Sequence, residues 1–79
     1  MDDAKEMARL EARAEEAYGA MYQASPTQVK DLYDDARQLL NRALILAQRL
    51  GLDKDAVRLA ARGAHIDDVY NHQFRHIGR

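Results

Sequence analysis

The chain has no cysteine and no tryptophan, a single proline, four glycines, four tyrosines and one phenylalanine in 79 residues. Without cysteine there is no disulfide framework, no thiolate metal site and no thiol nucleophile. No stretch approaches the roughly 18 consecutive apolar residues that a bilayer span requires, so no membrane partner is expected. Nor is one sign of charge in excess: 12 basic and 13 acidic residues leave a formal charge of -1, which gives no global pull toward nucleic acid. Met1-Asp2-Asp3 lacks the basic flank and apolar core of a secretory signal. The expectation is a soluble, cytoplasmic protein.

The remaining composition is that of helices. Alanine, leucine, glutamate, arginine, lysine and glutamine dominate, and only Pro26 and the glycines interrupt them. Asp3 with Glu6 fits a capping box that would start a first helix over about 3–24. Ser25, Pro26 and Gln28 repeat that logic, with serine at the cap and proline where its missing amide costs nothing, and open a second helix over about 26–50. Gly51 followed by Leu52 reads as a left-handed cap with an apolar residue folding back, and Asp53 as the cap of a third helix over about 54–77.

All three segments share one period. Met7, Leu10, Ala14, Ala17 and Met21 alternate steps of three and four along the first. Val29, Leu32, Ala36, Leu39, Ala43, Leu46 and Leu50 do so along the second, widened by Tyr33, Leu40, Leu44 and Ala47. The third carries Ala56, Leu59, Gly63, Ile66, Tyr70, Gln73 and Ile77, flanked by Phe74. Short turns force successive helices to run antiparallel, so the spacing predicts a single domain over 1–79: an all-α, up-down-up three-helix bundle. An open hairpin of the second and third helices, with the first packed on another chain, satisfies the same pattern. Gly63 is expected to mark a close contact between helices, since a mid-helix glycine costs about 1 kcal/mol relative to alanine.

Few residues suggest chemistry. Ser25 is spent on a cap, and Thr27 stands beside it. The adjacent carboxylates Glu15 and Glu16, or Asp34 and Asp35, diverge by about 100° on a helix and do not converge on a substrate. His65 lacks the lysine and glycine that follow a phosphotransfer histidine, having Ile66, Asp67 and Asp68 instead. No enzymatic activity and no cofactor are expected. His65, His72 and His76 fall within about 40° of one another with Asp68 alongside, and His72 with His76 has the i, i+4 spacing of a metal-chelating pair. Three histidines on a polar face are weak candidates for a metal site and equally suit a pH-dependent contact.

Over 43–63, Ala47, Leu50, Gly51, Leu52 and Val57 fall where the helix-turn-helix pattern places its small residue, apolar residue, turn glycine, next apolar residue and buried valine. This segment resembles that motif over about a quarter of the chain. The resemblance implies that the helix from Lys54 reads a DNA major groove with Lys54, Arg58 and Arg62. Two features depart from it. The second helix runs without glycine or proline from Pro26 to Leu50, and Asp53 and Asp55 put carboxylates where phosphates would approach. In composition the chain is also similar to tetratricopeptide hairpins, whose helices are shorter and whose repeat of about 34 residues is absent.

The leading expectation is a helical protein–protein interaction module that self-associates as a homodimer or binds another protein. Tyr18, Met21 and Tyr22 on the first helix combine methionine with tyrosine, a composition of adaptable contact surfaces. Ile45 lies opposite the centre of the second stripe and is expected to be exposed. DNA binding through Lys54, Arg58 and Arg62 is the alternative.

Overall fold

The structure, a computed structural model, describes residues 2–75. Three helices follow in series, α1 (Asp3–Ala20), α2 (Pro26–Arg49) and α3 (Asp53–Val69). A 3-10 turn at Met21–Gln23 finishes α1, and a π-helical turn at Tyr70–Phe74 extends α3. The chain forms the all-α, antiparallel three-helix bundle that its apolar period predicts, with no strand among the described residues.

Local sequence explains each boundary, though not always through the residue expected. Asp2, not Asp3, caps α1: its backbone is extended and its carboxylate accepts from the amides of Ala4 and Lys5. Asp3 is already helical, and the Glu6 carboxylate pairs with Arg9 instead of closing a capping box. The first helix ends earlier than position 24 because Ala24 and Ser25 are both extended, as the residue before a proline prefers. Ser25 does hold the cap position of α2, but its hydroxyl lies 3.2 Å from that of Thr27 and caps no amide. At the second turn Gly51 has φ +72°, the Gly51 amide donates to Gln48 and the Leu52 amide reaches back to Ala47 at 2.8 Å. This is the Schellman arrangement, in which orphan carbonyls at a helix end are satisfied by a left-handed glycine and the residue after it. Leu52, not Asp53, then takes the cap position of α3 and packs on the core.

α2 is the spine. Ala36, Ala43 and Ala47 on α2 and Ala14 on α1 are completely buried, so the two backbones approach closely. Leu10, Leu40, Leu59 and Ile66 fill the space between the three helices. Each such side chain contributes about 1.5–3 kcal/mol on burial. The first helix therefore packs within its own chain, as α2's most intimate neighbour, and the open α2–α3 hairpin is not the arrangement formed. α1 and α3 meet each other mainly through long side chains, and the molecule measures 41 × 21 × 13 Å.

The end of α3 departs from a continuous helix. From Ile66 to Phe74 a regular helix would rotate the side chain roughly 80° away from the core. The π-helical turn, closed by the Arg75 amide on the Tyr70 carbonyl at 2.7 Å, absorbs that excess. Phe74 is thereby buried with Met21 and Val29 in a second apolar cluster, and Gln73, expected on the stripe, is exposed. Ile77 and His76 lie outside the described residues. None of the described helices is long and apolar enough to cross a membrane.

Candidate functional site

The α1–α2 hairpin has two long flanks, and the charges on them are treated in opposite ways. On the flank facing α3, the rim charges are matched. Arg62 of α3 donates to both carboxylate oxygens of Glu15 at 2.7 and 2.6 Å, and its guanidinium lies over the Tyr18 ring, 5.1 Å from the centroid. Arg58 bonds Glu11 of α1 and Asp55 of its own first turn. These hydrogen bonds raise the already high pKa of both arginines, holding them as cations. From α2, Arg37 Nε and the Tyr33 hydroxyl both donate to Asp67 Oδ1, at 2.8 and 2.6 Å. Burial, followed by the bond to Asp67, pushes the Tyr33 phenol up to about 12. Its ring stacks on Tyr70 at 4.0 Å.

Gly63 belongs to this seam. The expected close contact is present, but the neighbour is the Arg37 guanidinium, which occupies the space that a Cβ at position 63 would need. A missing side chain on α3 thus lets an α2 arginine lie against the helix and reach Asp67 one turn on.

The flank away from α3 is open. Between α1 and α2 runs a groove of about 450 Å³ whose floor is Leu32, Leu39, Ala17 and Ala20 and whose rim is Arg13, Glu16, Asp35, Gln38 and Arg42. A smaller hollow of about 260 Å³ shares Arg42 and continues the groove past Leu10, Leu46 and Ile45 toward Glu6. Leu32 and Leu46 are half-buried, and Ile45 is 52% exposed. Among the described residues, Arg13, Glu16, Asp35 and Arg42 make no intramolecular ion pair or side-chain hydrogen bond.

The four residues expected to form an interaction surface are not brought together. Ile45 lies on the open flank, near the start of α1, whereas Tyr18 and Tyr22 lie on the α3 side at the other end of the bundle. Met21 is corrected outright: it is 1% exposed, continuing the apolar stripe of α1 and enclosed with Val29 and Phe74. The Tyr18 and Tyr22 hydroxyls are 3.0 Å apart, and Tyr22 meets Phe74 edge-on at 5.1 Å while staying half-exposed. Burial and then the Tyr22 hydroxyl raise the pKa of Tyr18. Both tyrosines lie along the edge where α1 meets α3 and Phe74.

Of the residues that would read DNA, Lys54 is exposed, while Arg58 and Arg62 are engaged by carboxylates of α1. Val57, at the position where the helix-turn-helix pattern buries a valine, is 71% exposed. The histidines are likewise separate. His65 meets Tyr18 edge-on at 6.4 Å, and His72 Nδ1 donates to the Asp68 carbonyl at 2.7 Å. Among the described residues no three His, Asp or Glu side chains converge as metal ligands, and His76 lies outside them.

The apolar period assigns Leu32, Leu39 and Leu46 to the core and so conceals the groove. Their seven-residue spacing, along the edge of the apolar stripe that is nearer Ile45, is the signal that could have found it. Compared with known protein families, with curated proteins and with solved structures, the chain matches none of them.

Proposed function

We propose that the protein is a helical interaction module that self-associates through the groove between α1 and α2. The observation that supports this reading is the contrast between the two flanks of the hairpin. Facing α3, charges are consumed in pairs within the chain; along the groove, leucine and alanine lie at the floor and four charges stand without partners among the described residues. A stripe of leucines bordered by charges is the composition through which helices pair with other helices, the apolar centre giving affinity and the rim giving specificity. A second hairpin laid on this flank would complete a four-helix layer with α3 outside it.

The test is the mass in solution. Sedimentation equilibrium at micromolar concentration is expected to give twice the 9.0 kDa of the chain. Ile45→Asp, which places a carboxylate at the groove's edge without touching the buried core, is expected to shift the equilibrium to the monomer with helicity unchanged. A 9.0 kDa species at every concentration up to several hundred micromolar would remove the reading. DNA binding, the alternative, requires Arg58 and Arg62 to leave Glu11 and Glu15, and predicts salt-sensitive binding to duplex DNA that is lost in the Arg58→Ala, Arg62→Ala double variant.

A further inference from the structure

The rim of the groove carries its unpaired charges in two halves. Because α1 and α2 are antiparallel, Glu16 and Asp35 belong to the half that ends at Ala20 and Leu32, whereas Arg13 and Arg42 belong to the half that continues to Leu10 and Leu46. One half is acidic and the other basic, and their sum is neutral. Glu6, at the far end of the basic half, is already paired with Arg9. The apolar floor has a different symmetry. Leu32 and Leu46 stand seven residues to either side of Leu39, so the leucine row of α2 reads the same in both directions about Leu39. A surface whose α2 leucine row is palindromic and whose rim charges are antisymmetric is complementary to itself turned end over end.

Resting on the groove as the self-association surface, we infer that the occupant is a second copy of the chain docked antiparallel, with the two-fold axis passing beside Leu39 and at right angles to the helices. In that arrangement Leu39 meets Leu39 of the second copy and Leu32 meets Leu46. Asp35, four residues before the axis, comes opposite Arg42, three residues beyond it, and the pairing occurs twice, as an isologous interface requires. The opposite choice, a two-fold axis along the bundle, sets the acidic half on the acidic half and the basic half on the basic half. Like charges brought together in this way oppose association, which is how charged rims select one orientation over another. Asp35 and Arg42 are therefore the orientation-determining pair. Both are exposed on regular helix, so reversing either leaves the fold intact.

The test uses two single charge reversals and their mixture. Asp35→Arg alone faces a guanidinium with the Arg42 guanidinium at both copies of the contact, and Arg42→Asp alone faces a carboxylate with the Asp35 carboxylate at both. Each is expected to weaken the homodimer by about tenfold or more. Mixed in equal amounts, the two variants bring only opposite charges together at these positions, and a heterodimer of wild-type affinity is expected by sedimentation or by fluorescence transfer between differently labelled chains. Circular dichroism of each variant monitors folding independently. Two singles that dimerise like the wild type, or a mixture that remains monomeric, would overturn the antiparallel arrangement while leaving self-association through the groove standing. A wild-type chain that is itself monomeric would overturn both.

Discussion

The two flanks of the α1–α2 hairpin start from similar material and end in different states. Each has an apolar centre bordered by arginines and carboxylates. On one flank α3 covers the centre with Leu59 and Ile66 and answers the border with Arg58, Arg62 and Asp67. On the other Leu32 and Leu46 remain half-covered and the border charges unanswered. The difference teaches that a helix at the centre of a three-helix bundle has more apolar arc than two neighbours cover. The uncovered remainder is where a further helix would lie. Pairing of the border charges, rather than hydrophobicity alone, marks which flank is finished.

The largest test of this contrast compares leucines on the two sides. Leu40→Ala, on the closed side, is expected to cost about 2–5 kcal/mol, because the side chain is 1% exposed and its removal leaves a cavity. Leu46→Ala, on the open side, is expected to cost roughly half of that or less in dilute solution. Its cost should rise with protein concentration as the groove becomes occupied, whereas that of Leu40→Ala should not. Denaturant midpoints measured across a roughly hundredfold range of concentration check both, and equal costs at every concentration would erase the distinction between the flanks.

A smaller effect sharpens the picture of the closed flank. Gly63→Ala forces the Arg37 guanidinium away from α3 and from Asp67. The guanidinium is the free end of a flexible chain, so the loss of its bond is partly offset by up to about 1 kcal/mol of helix propensity, and the net change should lie within about 1 kcal/mol. In an Arg37→Ala background the obstacle is gone, and the same glycine replacement should stabilise by about 1 kcal/mol. A double-mutant cycle by chemical denaturation measures this coupling; simple additivity would mean that Arg37 does not lie on Gly63.

The smallest effect at neutral pH concerns Tyr33. Its phenol ionises at about 12 in the fold against 10.0 for the free group, so folding favours the protonated form. The stabilisation is complete below pH 10 and is lost as the pH rises toward 12. Tyr33→Phe should therefore change stability little at neutral pH and should flatten the alkaline loss of melting temperature. Coincident alkaline slopes for the two proteins would show that neither burial nor the bond to Asp67 holds the phenol in its protonated form.

How much of this is legible in the sequence follows from the range of each interaction. Pro26 at the start of α2 and Gly51 at its end act within one helical turn, and their positions are readable as boundaries. Asp2 in place of Asp3, and Leu52 in place of Asp53, show the limit of such reading. Two neighbouring residues can serve as a cap, and packing of the rest of the helix selects between them. Gln73 and Phe74 exchange roles for a similar reason: a π-helical turn is set by what Phe74 gains beside Met21 and Val29, which lie far away in sequence. Met21 reads as a contact residue because its own helix does not reveal that the chain turns and folds over it.

The sequence by itself determined that this protein is three helices joined by two short turns, because helix formers, two turn signals and a single apolar period are local properties that survive any packing. Only the tertiary structure decided which flank α3 would cover. On that flank Leu59 and Ile66 are buried, Glu11 and Glu15 meet Arg58 and Arg62 across 47 residues of chain, and Asp67 meets Arg37 and Tyr33 across 30 and 34. With α3 on that flank, Leu32 and Leu46 on the opposite one are left half-covered. No stretch of sequence contains that fact, since it is a consequence of where the third helix is not.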